Sequence, residues 1–191
     1  MNRLYAAAIE FHNFLTARAI PYAIIGGIAV QFWGEPRGTR DLDLTVAVPI
    51  ERVDEILGAL LAQFAPRIPD AAEFARRNRV LLLAASNGVP VDVSLGLPGY
   101  EDDLMARALL VPLDADHQVR VCSPEDLVIH KALAGRANDL KDLDMVIAAQ
   151  ADRLDTGHVR RWLTFFSDTL ATPEPLGNFE AAWRKAHPSS K

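Results

Sequence analysis

Asp41 and Asp43 are separated by one apolar residue and follow the pair Gly26-Gly27, with Arg37-Gly38-Thr39-Arg40 leading into them. On an extended chain, carboxylates at that spacing project from one face, roughly 6–7 Å apart at the backbone. Left bare they repel, and one tends to take up a proton. A divalent cation removes the conflict. Mg2+ takes oxygen ligands, holds few protein carboxylates, and completes its sphere with water and phosphate oxygens. Asp92, in the later run Val89-Pro90-Val91-Asp92-Val93-Ser94-Leu95, is the third acid that a two-metal site needs. In such a site one metal helps an acceptor oxygen attack an α-phosphate while the other steadies the leaving pyrophosphate. Gly26-Gly27 follows a strand-like run and opens a helix-like one, where backbone N–H groups can approach triphosphate oxygens with no Cβ in the way. The available chemistry is Mg2+-dependent nucleotidyl transfer. The plain alternative, acids on a solvated strand face and glycines in a tight turn, stays open on these residues alone.

Several elements must position these groups. Leu4, Ala7, Ala8, Phe11, Phe14 and Leu15 recur at three-and-four spacing, which predicts an amphipathic helix over residues 3–18. Tyr22-Ala23-Ile24-Ile25 reads as a short buried strand, and Ile28 to Trp33 as one or two helical turns stopped by Gly34 and Pro36. Asp41 to Val48 alternates, with Leu42, Leu44, Val46 and Val48 on the buried face and Asp41, Asp43 and Thr45 on the other. Residues 51–64 form another amphipathic helix. Asn87-Gly88 predicts a hairpin between residues 79–85 and 89–95, with Pro90 at a strand start or edge. Gln118 to Val121 adds a short strand.

From Ser123 the pattern is helical. Ser123-Pro124-Glu125-Asp126 combines a hydroxyl cap, a first-turn proline and acids near the positive end of the dipole. That helix runs to Gly135, and others cover about 138–150, 156–170 and 178–186. The expected fold is α+β: a small mixed β-sheet core flanked by helices over 1–121, then an α-helical part over 122–191 that completes the site.

The chain has 191 residues and a formal charge of −5, with half its residues hydrophobic and 24% charged, an ordinary globular balance. No apolar run approaches the ~18 residues a membrane span needs. The N-terminus lacks a signal-peptide pattern because Glu10 and His12 interrupt it. The single Cys122 excludes an internal disulfide and a multi-cysteine zinc site, and reads as a small buried residue. A cytoplasmic location is expected. The negative charge points slightly away from nucleic acid, and the clusters Arg76-Arg77-Asn78-Arg79, Arg160-Arg161 and Arg184-Lys185 read as solvated helix faces ahead of RNA contacts, which leaves an RNA acceptor open without supporting it. His130, His158 and His187 show no metal-ligand spacing and read as surface or helix-end residues, whereas Trp33, Trp162 and Trp183 read as core anchors.

The pattern Ile25-Gly26-Gly27-Ile28-Ala29-Val30, ending in Arg37-x-Thr39-x-Asp41-Leu42-Asp43-Leu44, resembles the nucleotidyltransferase superfamily related to DNA polymerase β. More narrowly it resembles the AbiEii-type toxin nucleotidyltransferases. Val89-x-Val91-Asp92-Val93 is similar to the strand that supplies the third acid. Ser123 to Asp142, with Lys131, Arg136, Asp139 and Asp142, is similar to the later signature of a helical lysine, an arginine and spaced acids. The resemblance implies that Gly26 and Gly27 contact nucleotide phosphates and that Asp41 and Asp43 bind Mg2+. It makes Asp92 a third metal ligand or the base that accepts the acceptor's proton. Lys131 would reach the triphosphate as a point charge, and Asp139 would orient Lys131 or the nucleotide base. Arg37, Thr39 and Arg136 complete the implied nucleotide-binding set. Arg37 and Thr39 also suit fixing the loop before the acids, and Arg136 suits the carbonyls of a helix end.

The residues themselves add that Lys131 sits on an otherwise apolar helix, so its stem packs while its amine reaches out. Asp139 and Asp142 begin a helix, where capping and dipole effects explain acids. Gly27 stands where many superfamily members carry serine, so phosphate contact there would be by backbone alone. Arg40 is placed to pair with Asp41. The expected reaction moves NMP from an NTP to an acceptor hydroxyl. By the resemblance the acceptor is the 3′ end of tRNA, in a toxin or phage-defence setting with a cognate antitoxin. The alternatives are nucleotidylation of a protein or small molecule such as an antibiotic, or a non-catalytic nucleotide-binding or antitoxin module.

Overall fold

Alternation of Leu42, Leu44 and Val46 with Asp43 and Thr45 produces strand β2 (Leu42–Ala47), whose three aliphatic side chains are fully buried. Each contributes about 1.5–3 kcal/mol by leaving water. The computed structural model describes residues 2–96 and 98–188. They divide into two compact units: residues up to Ile28 with Gly38–Cys122, and Ala29–Arg37 with residues from Ser123 onward.

The first unit is built on a seven-stranded mixed sheet. Its strands are β1 (Tyr22–Ile25), β2, β3 (Ala65–Pro66), β4 (Val80–Ala84), β5 (Pro90–Gly96), β6 (Leu109–Pro112) and β7 (Gln118–Val121), in the order β3-β4-β5-β2-β1-β7-β6. β2 runs antiparallel to β1 and parallel to β5. The β4–β5 hairpin turns at Asn87-Gly88, with Gly88 at φ +79°. Pro90 begins β5, one of the two positions expected of it, and β5 is an interior strand paired on both sides. Thr45 is also buried, so the second face of β2 is covered at its middle, with Asp43 and Ala47 partly exposed on either side.

Helix α1 (Arg3–Ala17) buries the predicted stripe from Leu4 to Leu15, and its Asn2 cap accepts a hydrogen bond from the Leu4 N–H at 3.0 Å. Helix α2 (Gly26–Trp33) begins at the glycine pair itself. Helices α3 (Val53–Gln63), α4 (Ala71–Asn78) and α5 (Tyr100–Arg107) complete this unit. α4 and α5, with β3 and β6, are absent from the sequence expectation.

The second unit packs α6 (Pro124–Ala134), α7 (Ala137–Gln150), α8 (Thr156–Leu170) and α9 (Glu174–Ala186). Ser123 caps α6 as predicted, accepting from the Asp126 N–H at 3.1 Å and donating to Asp126 Oδ2 at 2.7 Å. Gly135 closes the helix in the left-handed region, at φ +61°. Leu127, Ile129, Leu143, Val146, Leu163 and Phe179 supply the core. The three tryptophans do not: each is only half-buried. Cys122 is buried. Among the described residues no helix is long and apolar enough to cross a membrane.

Candidate active site

In the first unit, β1 delivers the chain to Gly26, which adopts φ +63°, a conformation open to glycine without steric cost. A Cβ at Gly26 would lie 2.1 Å from Asp43 Oδ2 and 2.8 Å from Asp43 Cβ. At Gly27 it would lie 2.5 Å from Thr39 Oγ1. The glycine pair is therefore shaped by the acids: Gly26 makes room for Asp43, and Gly27 makes room for Thr39. Thr39 in turn donates to Asp41 Oδ1 at 2.8 Å. The missing serine hydroxyl at position 27 has a steric reason, since any side chain there displaces Thr39.

The third acid is adjacent. Asp43 and Asp92 are register partners on parallel β2 and β5. Burial raises Asp92 above the usual carboxylate range; Arg67 opposes this and the negative charge of Asp41 adds to it. Arg67 donates to Asp92 Oδ1. Arg40 forms no ion pair with Asp41 among the described residues, so that expectation is corrected. The sequence reading missed Arg67, which sits in Pro66-Arg67-Ile68-Pro69, a stretch that looks like a linker. Its one signal was a charged residue beside a strand too short to recognise.

Among the described residues no three carboxylate, imidazole or thiolate groups are gathered closely enough to hold a metal ion together. Asp41 and Asp43 nonetheless fit a hard divalent cation. They offer oxygen donors beside a helix N-terminus whose glycines let Asp43 and Thr39 pack against the backbone, and Mg2+ needs only one or two protein carboxylates when phosphates and water supply the rest.

Gly26→Ala tests the cradle. The variant meets the Asp43 side chain and also places a Cβ at positive φ, a strain of about 1–3 kcal/mol. The expected result is a lower melting temperature together with a loss of nucleotide affinity, measured by thermal denaturation and calorimetry.

The second unit gathers the late residues into one network, with Lys131, Asp139 and Asp142 buried and Arg136 and Arg37 at its exposed rim. Lys131, 7% exposed, donates to Asp139 Oδ1 at 2.9 Å and lies 2.8 Å from Asp142 Oδ2. Arg37 grips Asp142 with two bonds, 2.6 and 2.7 Å, and Arg136 donates to Asp139 Oδ2 at 2.6 Å. Gln31 steadies the Arg37 carbonyl at 3.2 Å. The expectation of an outward-reaching Lys131 amine is thus corrected: it turns inward because two carboxylates await it. Asp139 and Asp142 make no side-chain cap to α7, and Arg136 engages the Asp139 carboxylate. His158 is also buried rather than superficial, with Nε2 3.2 Å from Asp126 Oδ1. His130 is held neutral, its pKa lowered to about 4 chiefly by burial.

Burial is the largest influence on Asp139 and Asp142 and would raise both. Arg136 with Lys131, and Arg37 with Lys131, outweigh it and hold both carboxyls below the ordinary value. Folded values below unfolded ones mean stability that is complete above about pH 4 and lost as pH falls through the lowered folded values. Urea midpoints measured from pH 7 down to pH 3 should therefore stay level to about pH 4.5 and then decline, and Asp142→Asn should flatten the decline.

The mixed sheet flanked by helices is of the nucleotidyltransferase type, with a glycine pair at the β1–α2 turn and acids at the start of the neighbouring strand. The chain belongs to the family described as "Nucleotidyltransferase of unknown function (DUF6036)", which it matches over residues 3–186. Two solved structures share this fold. The antibiotic-resistance factor ANT(2″)-Ia in solution is 12% identical, with TM-score 0.56 over 87% of this chain and 96% of that one. ANT(2″)-Ia in complex with adenylyl-2″-tobramycin is 14% identical, with TM-score 0.52 over 80% and 92%. An antigenic nucleotidyltransferase-like protein from Paracoccidioides brasiliensis is 20% identical, with TM-score 0.49 over 76% of each chain. No curated protein matches the sequence. The protein is a nucleotidyltransferase.

Proposed function

We propose that the chain transfers NMP from an NTP to an acceptor hydroxyl, with Asp41 and Asp43 holding Mg2+ and Gly26-Gly27 receiving the triphosphate. The observation that carries this reading is the mutual fit of Gly26 with Asp43, which seats a carboxylate directly against the backbone at the start of α2. Mg2+, when bound, supplies charge neutralisation at the phosphates. The α2 N-terminus offers N–H groups to phosphate oxygens, and Thr39 fixes the Asp41 carboxylate. Asp92 accepts the acceptor proton as the acceptor oxygen bonds to the α-phosphorus, the bond to the β-phosphate bridging oxygen breaks, and pyrophosphate leaves. Positioning and electrostatics supply most of the rate. Arg37, Lys131, Arg136 and Asp139 support the reaction by ordering the second unit rather than as free charges.

For the acceptor, the resemblance to AbiEii-type toxins supports the tRNA 3′ end, with a cognate antitoxin and a cytoplasmic setting. A small-molecule hydroxyl is the second reading. The net charge of −5 favours it, because polyphosphate binders concentrate positive charge. It also agrees with the fold neighbour solved with an adenylylated aminoglycoside. Incubation with each α-³²P-NTP, Mg2+ and either total tRNA or an aminoglycoside and lincosamide panel separates them. Label on RNA supports the first acceptor, label on a small molecule supports the second, and nucleotide binding without transfer to any acceptor contradicts both.

A further inference from the structure

Four side chains lie in one transverse row on the sheet. Asp43 on β2 is in register with Asp92 on β5, and Asp92 with Leu82 on β4. The Arg67 N–H donates to the Leu82 carbonyl at 3.0 Å, continuing the β3–β4 ladder by one residue. Neighbours in register point to the same face, so the Arg67 side chain crosses Leu82 and meets Asp92.

We propose that Arg67 is a positioning residue that clamps Asp92 in the free protein, leaving Asp41 and Asp43 for the metal and directing Asp92 to the acceptor. The proposal rests on the nucleotidyl-transfer reading above. Asp92 stands in register with Asp43, and a guanidinium at the end of the row answers the charge that would otherwise draw a cation to Asp92. The bond uses Oδ1 alone, and Asp92 Oδ2 has no protein partner among the described residues. That oxygen remains available to an acceptor hydroxyl. The pair is also about one-third exposed on both sides, 31% and 36%. Such a pair adds little to folding stability, so its value lies in fixing the orientation of Asp92. The ammonium of a lysine would keep the charge while losing the planar fork.

The test is Mn2+ binding to the nucleotide-free protein, followed by the free-ion electron paramagnetic resonance signal. Arg67→Gln should bind Mn2+ about tenfold more tightly than wild type, because Asp92 is released to the metal. Arg67→Lys should stay within about threefold of wild type, and Arg67→Gln/Asp92→Asn should return to wild-type affinity. With a labelled acceptor, Arg67→Gln should lower kcat about 100-fold with the nucleotide KM unchanged. An Arg67→Gln affinity equal to wild type, a tightening that survives in the double variant, or an unchanged kcat overturns the proposal. Wild-type protein that binds no Mn2+, or binds it equally well as Asp43→Asn, instead overturns the reading on which the proposal rests.

Discussion

Asp43→Asn should lower nucleotidyl transfer about 1,000-fold while leaving the fold intact. The substitution keeps the size of the side chain, so the space that Gly26 leaves for it stays filled. What is lost is one of the two carboxylate charges proposed to hold the metal. A metal supplies several kcal/mol of charge stabilisation at a phosphoryl centre, and about 4 kcal/mol corresponds to about three powers of ten in rate. Stability should change by no more than about 1 kcal/mol, since Asp43 neighbours Asp92 in the ladder and removing a negative charge relieves repulsion there. Initial rates on the acceptor identified by labelling, with thermal melting alongside, check both parts. Residual activity within tenfold of wild type would remove Asp43 from the metal site.

Lys131→Met should destabilise the protein by about 3–5 kcal/mol, the usual cost of breaking a buried ion pair. The side chains of Asp139 and Asp142 are 6% and 2% exposed, and Lys131 bridges them. Methionine keeps the volume and drops the charge. Each carboxylate then retains one arginine, Arg136 or Arg37, and the two acids face each other without the ammonium. The pH response should reverse in sign. In the wild type the carboxyls titrate below the ordinary range, so acid removes stability. In the variant, uncompensated burial and mutual repulsion raise the folded values above the unfolded ones. Stability is then greatest at low pH and falls as pH rises through those raised values. Urea denaturation at pH 5 and pH 8 reads this directly: the variant should be the more stable at pH 5. Equal stability at both, with a total loss below 1 kcal/mol, would mean that the network carries little charge energy.

The contrast between the two units explains what the sequence made legible. Asp41, Asp43 and the glycines declared themselves because their spacing is local: two residues on one strand and two at one turn. The Asn87-Gly88 hairpin and the Ser123 cap were legible for the same reason, each encoded within four residues. Arg67 was not, because β3 is two residues long and exposed, so no alternation marks it. α4 and α5 bury only two side chains each, Ala71 with Ala75 and Tyr100 with Leu104, too few to print a helical period. The inward turn of Lys131 depends on Asp139 and Asp142 on another helix, and Asp142 depends on Arg37 from 105 residues earlier. Residues 29–37 join the second unit, a grouping that no composition shift announces. Thr45 failed for a related reason: alternation names two faces of a strand but not what covers the second.

The most direct test of the central claim needs no acceptor. Calorimetric titration of each NTP into wild-type protein, with Mg2+ and then with EDTA, asks whether the glycine–aspartate cradle is a metal-dependent nucleotide site. The account predicts binding of at least one NTP with Mg2+, lost in EDTA and lost in Asp41→Asn and Asp43→Asn, while Lys185→Gln binds as wild type. NTP binding of equal strength with and without Mg2+, and undiminished in both aspartate variants, would contradict it.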